Sequence, residues 1–114
     1  MKYLLMIYTD EKLDAQQDEE RLMTRYNQLI SELEKEGVYL SGERLSPVET
    51  ATTVQMRDGN RLVSDGPFAE TREQLGGFFL VDCRDLDHAM EVAGRIPSAE
   101  IGSIEIRPLW FQEE

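Results

Sequence analysis

Two stretches of this chain are apolar on both of their alternating sets of residues, which restricts the folds open to it. From Lys2 to Thr9, Tyr3, Leu5 and Ile7 form one set and Leu4, Met6 and Tyr8 the other. From Gly77 to Cys83, Phe79, Val81 and Cys83 form one set and Phe78 and Leu80 the other. A strand with one face in water alternates apolar and polar residues, so a strand apolar on both faces is covered on both. Both runs therefore belong at the centre of a sheet with something packed on each side.

Between Asp18 and Glu36 the apolar period becomes helical, with Leu22, Met23, Tyr26, Leu29, Ile30 and Leu33 on one stripe. Asp18, Glu19 and Glu20 suit the positive end of that helix, and Gly37 suits its C-terminal stop. A shorter helix is predicted from Asp85 to Arg95. Leu86, Ala89, Met90 and Ala93 face inward, Asp85 is the N-cap, and Pro97 blocks extension. Val38 to Leu45 reads as a strand. Thr52 to Arg57 and Arg61 to Ser64 read as two more, joined by Asp58-Gly59-Asn60, where Asp-Gly favours a type I′ hairpin. Ser103 to Phe111 alternates, with Ile104, Ile106 and Trp110 opposite Glu105 and Arg107, as an edge strand does.

The order strand, helix, strand, hairpin, strand, helix, strand contains two β-α-β units. It predicts a single α+β domain over residues 1–114, a ferredoxin-like sheet with an extra hairpin and helices on one face. The first and third strands of that core are central, and the two doubly apolar runs fall there. Helices on one face leave the other uncovered. A second copy of the chain, sheet against sheet, is the simplest cover, giving a homodimeric α/β barrel.

Charge narrows the function classes. The chain has 12 Lys+Arg against 23 Asp+Glu, a formal net of -11. Nucleic-acid binders neutralise phosphates with basic patches, so nucleic acid is not an expected partner, and an anionic membrane is disfavoured for the same reason. The single cysteine, Cys83, excludes an intramolecular disulfide and reads as a small packed apolar group. The N-terminal apolar run is too short for a signal peptide or a membrane span, so a reducing cytoplasm is the simplest location. No nucleotide motif or cofactor is expected. Asp82, Asp85 and Asp87 lack calcium-loop spacing and read as helix capping, with no metal. His88, the one histidine, reads as a surface residue.

The candidate site residues cluster around the non-periodic run Asp65 to Gly77. Asp65 is a turn carboxylate accepting backbone amides, or a general base at a cleft. Phe68 walls an apolar pocket into which Glu70 points, or Glu70 and Arg72 form a solvated pair. Arg107 pairs with Glu105 or clamps an anionic substrate. Ser41 and Gly42 mark a bulge or a site wall. The first expectation is a small-molecule protein, binding or transforming a polar or anionic metabolite between the helix-free face and the Asp65 to Arg72 loop. The alternative is a non-catalytic dimeric partner or regulatory protein.

Several segments match one family pattern. They are Met1-Lys2-Tyr3-Leu4-Leu5-Met6-Ile7-Tyr8, Ala51-Thr52-Thr53-Val54, Arg57-Asp58-Gly59, and the long block Asp65-Gly66-Pro67-Phe68-Ala69-Glu70-Thr71-Arg72-Glu73-Gln74-Leu75-Gly76-Gly77-Phe78. Asp85-Leu86-Asp87, Arg95-Ile96-Pro97 and Gly102-Ser103-Ile104-Glu105-Ile106-Arg107-Pro108 complete it. The chain resembles the DGPF-type YCII-related proteins over nearly its whole length. That resemblance implies a dimeric α/β barrel of ferredoxin-like units and an uncharacterised reaction. It also suggests an association with extracytoplasmic-function sigma factors, since members are often encoded beside them. A neighbouring branch is proposed to use a His-Asp pair, which the lone His88 does not supply in the expected form.

Overall fold

A computed structural model describes residues 1–112 of the chain. Strand β1 (Lys2–Thr9) leads through a one-turn helix α1 (Glu11–Asp14) into the long helix α2 (Glu19–Lys35). Strand β2 (Tyr39–Arg44) is followed by the hairpin of β3 (Thr52–Arg57) and β4 (Asn60–Asp65). Strand β5 (Gln74–Asp82), helix α3 (Leu86–Arg95), a 3-10 turn at Pro97–Glu100 and strand β6 (Ser103–Pro108) complete the order. The main sheet runs β2-β5-β1-β6 with every neighbouring pair antiparallel, and β3-β4 forms a separate two-stranded sheet. This is the ferredoxin-like α+β arrangement, with the doubly apolar strands β1 and β5 at its centre.

Local chemistry sets the element ends. The Asp18 carboxylate accepts the Arg21 backbone N–H at 3.1 Å and caps α2. Gly37, with φ of 74°, ends it where other residues are strained. Val38 lies outside β2: its N–H closes onto the Leu33 carbonyl and its own carbonyl accepts from Asp82. In the hairpin, Asp58 (φ 52°) and Gly59 (φ 78°) take the left-handed conformations that a type I′ turn needs. We expect Asp18→Ala to leave the N-terminal amides of α2 unsatisfied and to cost about 1 kcal/mol in urea unfolding. An unchanged midpoint would assign no energy to this cap.

The core lies between the sheet and the two long helices. Leu5, Val81, Leu33, Val92 and Ile96 are fully buried, and Phe79 meets Tyr26 and Tyr39 edge-on at 6.1 and 5.2 Å. Cys83 is buried in the same cluster, and burial pushes its thiol pKa up.

Helix α3 corrects two expectations. Its inward face carries His88, Ala89, Val92 and Ala93, whereas Leu86 and Met90 are about half exposed, at 51% and 49%. The face is centred on Val92 and Ile96, which rotates Leu86 and Met90 to its margin. His88 is therefore not a surface residue. Its backbone N–H is capped by Asp85 at 2.8 Å, and its Nδ1 accepts the Arg84 N–H at 3.0 Å. The imidazole thus folds over the start of the helix instead of reaching water. The last strand also ends early, at Pro108, and Trp110 and Phe111 lie beyond it in the open.

Candidate functional site

Two glycines on the helix-covered side of the sheet line the site. Gly42 on β2 stands opposite Phe79 on β5, and Gly77 on β5 stands between Arg44 on β2 and Ile7 on β1. Neither position has room for a side chain. A Cβ on Gly42 would lie 2.7 Å from the Tyr39 hydroxyl and 2.9 Å from the Phe79 ring, and one on Gly77 would lie 2.8 Å from the Glu43 carbonyl oxygen. Between this part of the sheet and α2 lies a cavity of about 190 Å³ that both glycines line. Its apolar walls come from Ile7, Leu22, Met23, Ile30 and Phe79.

Polar groups sit at particular points of this lining. The Tyr26 hydroxyl and the Ser98 hydroxyl share a hydrogen bond of 2.6 Å. Burial raises the Tyr26 pKa, more than the Ser98 contact lowers it, so the phenol stays protonated. Thr9 is buried at the end of β1. Arg44 reaches across the opening to α2, where its guanidinium forms a forked pair with the Glu19 carboxylate. That pair holds the Glu19 carboxyl below the usual carboxylate range and raises Arg44.

A wider, more polar recess of about 580 Å³ adjoins the cavity and shares Thr9, Asp14, Arg44 and Gly76 with it. Glu11 lines the recess and accepts the Val48 N–H at 3.0 Å. Among the described residues, Asp14 has no ion-pair partner within 4.0 Å. Glu11, Asp14 and Glu19 therefore face one cation, Arg44, which Glu19 already holds. The combined space is an apolar chamber behind a net negative mouth.

The residues singled out by sequence lie in three places. Gly42 lines the cavity. Ser41 and Arg107 lie on the opposite, helix-free face, in the cross-strand row Ser41, Leu80, Leu4, Arg107. Arg107 pairs with Glu105 at 3.7 Å there. Asp65 ends β4 opposite Thr52 and is exposed. The following turn is held by the Gly66 N–H to the Ala51 carbonyl and by the Thr53 hydroxyl to the Gly66 carbonyl, with Gly66 at φ 97°. Phe68 and Glu70 are exposed, and Arg72 reaches Asp10 at 3.4 Å. The Gln74 amide ties the loop back through the Ala69 and Thr71 carbonyls.

Sequence reasoning missed Thr9, Asp14, Tyr26, Arg44 and Ser98 as site residues. One signal was present. Gly42 and Gly77 fall on strands that pair in a ferredoxin-like sheet, facing an aromatic residue, Tyr26, in the stripe of the covering helix.

Fold and cavity together define a class: a small antiparallel α+β protein with a ligand-sized chamber between its sheet and its long helix. The chain belongs to the YCII-related domain family, whose pattern matches residues 1–111. It is similar to an uncharacterised protein of Rhizobium meliloti (strain 1021), 37% identical over 114 residues, spanning 96% of this chain and 92% of that one. Among the described residues no helix is long and apolar enough to cross a membrane.

Proposed function

We propose that this YCII-domain protein is a homodimer that binds a small molecule with an apolar body and a neutral or cationic hydrogen-bonding end. The observation that carries the reading is the glycine-floored apolar chamber behind an acidic mouth. Its volume of about 190 Å³ is somewhat above that of an apolar cavity known to hold benzene. An aromatic or short aliphatic body fits against Ile7, Leu22, Ile30 and Phe79. A donor-rich end then meets Asp14, with the Tyr26 and Ser98 hydroxyls inside. An anionic end is disfavoured, because Arg44 is already paired and the remaining rim charge is negative.

The homodimer reading rests on the helix-free face. Leu4, Met6, Tyr8, Phe78 and Leu80 form a contiguous apolar patch there and are only half-buried in the single chain. Such a patch on one side of a sheet is what a second sheet covers.

The test is an NMR titration with benzylamine and with benzoate as size-matched probes. Benzylamine is expected to shift amides of β1, β2 and α2 saturably, benzoate to bind more weakly, and Ile30→Trp to abolish the shifts by filling the chamber. Equal binding of both probes would sink the charge assignment. Shifts that survive Ile30→Trp would place the ligand elsewhere.

A further inference from the structure

The β3-β4 hairpin is built with its apolar side outward. Cross-strand partners share a face, so Val54, Val63 and Met56 lie together with Thr52, Asp65 and Arg61. The other face carries Thr53, Gln55, Arg57, Asn60, Ser64 and Leu62. An ordinary hairpin turns its polar face to water. Here Thr53 and Gln55 are half-buried, while Val54, Val63 and Met56 are 56%, 56% and 58% exposed; farther out the other face, Leu62 included, is exposed as well. Among the described residues the two strands pair only with each other. An isolated two-stranded hairpin is marginal in water at best, so this one is incomplete in the single chain.

The dimensions of the chain agree. Its accessible surface is 8185 Å², where a compact monomer of this mass has about 6,400 Å². The excess, about 1,800 Å², exceeds the roughly 800 Å² that a standard interface takes from each partner. The radius of gyration is 15.9 Å, against about 13 Å for a compact domain of this length. The molecule is also a slab only 18 Å thick. A flat body with a projecting arm is the shape of half of an intertwined pair.

We infer that the hairpin is a dimerisation arm, whose Val54, Val63 and Met56 face packs on a second copy of this chain. The inference rests on the homodimer reading and adds a second interface to it. The arm arises where β2 ends and β5 begins, at one end of the sheet, and its strands run about 20 Å. Among the described residues its strands pair with none of the main sheet's, so it stands apart from that sheet. A second copy is favoured over a foreign protein because the surplus surface is large enough for a closed, self-complementary pair. Asp65, on the same outward face, would be covered with it.

The experiment compares wild-type protein with Val54→Lys/Val63→Glu. The exchanged pair removes the apolar strip while keeping a favourable cross-strand charge pair and the net charge. Dimer dissociation is read by sedimentation over a dilution series. Amide hydrogen exchange of residues 52–65 is followed in the same samples. The arm predicts a dimer weakened by about tenfold or more in the variant. It also predicts hairpin amides protected in concentrated wild-type protein and exposed on dilution. Val54→Thr/Val63→Thr, which retains strand propensity, is expected to show the same trend and guards against misfolding of the charged variant. Dimers of unchanged affinity in both variants, with fast-exchanging hairpin amides, would overturn the arm and leave the sheet-face dimer standing. A wild-type protein that stays monomeric at high concentration would overturn both.

Discussion

Replacing Leu5 by alanine is expected to remove about 3–5 kcal/mol of folding stability, close to the top of the range for such truncations. Leu5 is fully buried on the central strand, in register with Phe79 on one side and Ile106 on the other. It faces the two helices, so every atom removed leaves a void that close-packed neighbours cannot fill. Small domains hold about 5–15 kcal/mol in total, so the variant should lose much of its urea resistance. Leu40→Ala is the control. Leu40 is an exposed residue at the irregularity between Tyr39 and Ser41 on the edge strand, and its truncation is expected to move the midpoint little. A Leu5→Ala loss no larger than that of the control would mean that the core is not organised around β1.

The second large effect is expected at two glycines that respond in opposite directions. Gly102 lies just before β6, and its N–H donates to the Ser98 carbonyl at 2.8 Å. A Cβ there would run into the Tyr8 carbonyl oxygen and the Thr9 side chain. The obstacle is backbone, so Gly102→Ala must push β6 away from β1. A cost of about 2–3 kcal/mol is expected. Gly94 lies within α3 with open space where a Cβ would stand. Gly94→Ala should stabilise the protein by about 0.5–1 kcal/mol through helix propensity alone. Thermal melts of the two single variants check the pair. A Gly102→Ala melt no lower than that of the unmodified chain would show that the close approach at Gly102 is absent in solution, and a lowered Gly94→Ala melt would overturn the helix-propensity gain.

Much of the architecture was legible because patterning and topology agree. Tyr3, Leu5 and Ile7 against Leu4, Met6 and Tyr8 placed β1 at the sheet centre, and Asp18 and Gly37 marked both ends of α2 to within a residue. The misses have physical causes. Leu86 and Met90 satisfy a helical stripe as well as Val92 does. Only the docking angle of α3, set by Ile96 and the turn at Pro97, decides which residues are covered. His88 looked polar and therefore exposed, yet the Arg84 amide satisfies its ring locally. The cavity was hidden for another reason. It opens between the sheet and α2, lined by Gly42 and Gly77 on two strands separated by a hairpin, and no local period records a space that forms only when distant elements meet. Arg44 and Glu19 are likewise far apart in sequence and become a pair only when α2 crosses the sheet.

The burial of Cys83 has a practical consequence. The chain carries one thiol, enclosed in the core cluster and held protonated by its surroundings. A thiol in that state reacts slowly with alkylating reagents, so modification must await an opening of the structure. The protein thus contains its own clock for unfolding. Labelling rates at increasing reagent concentration would read out the frequency of core opening in the unmodified chain, with no introduced probe, and would rank each variant described above on one scale.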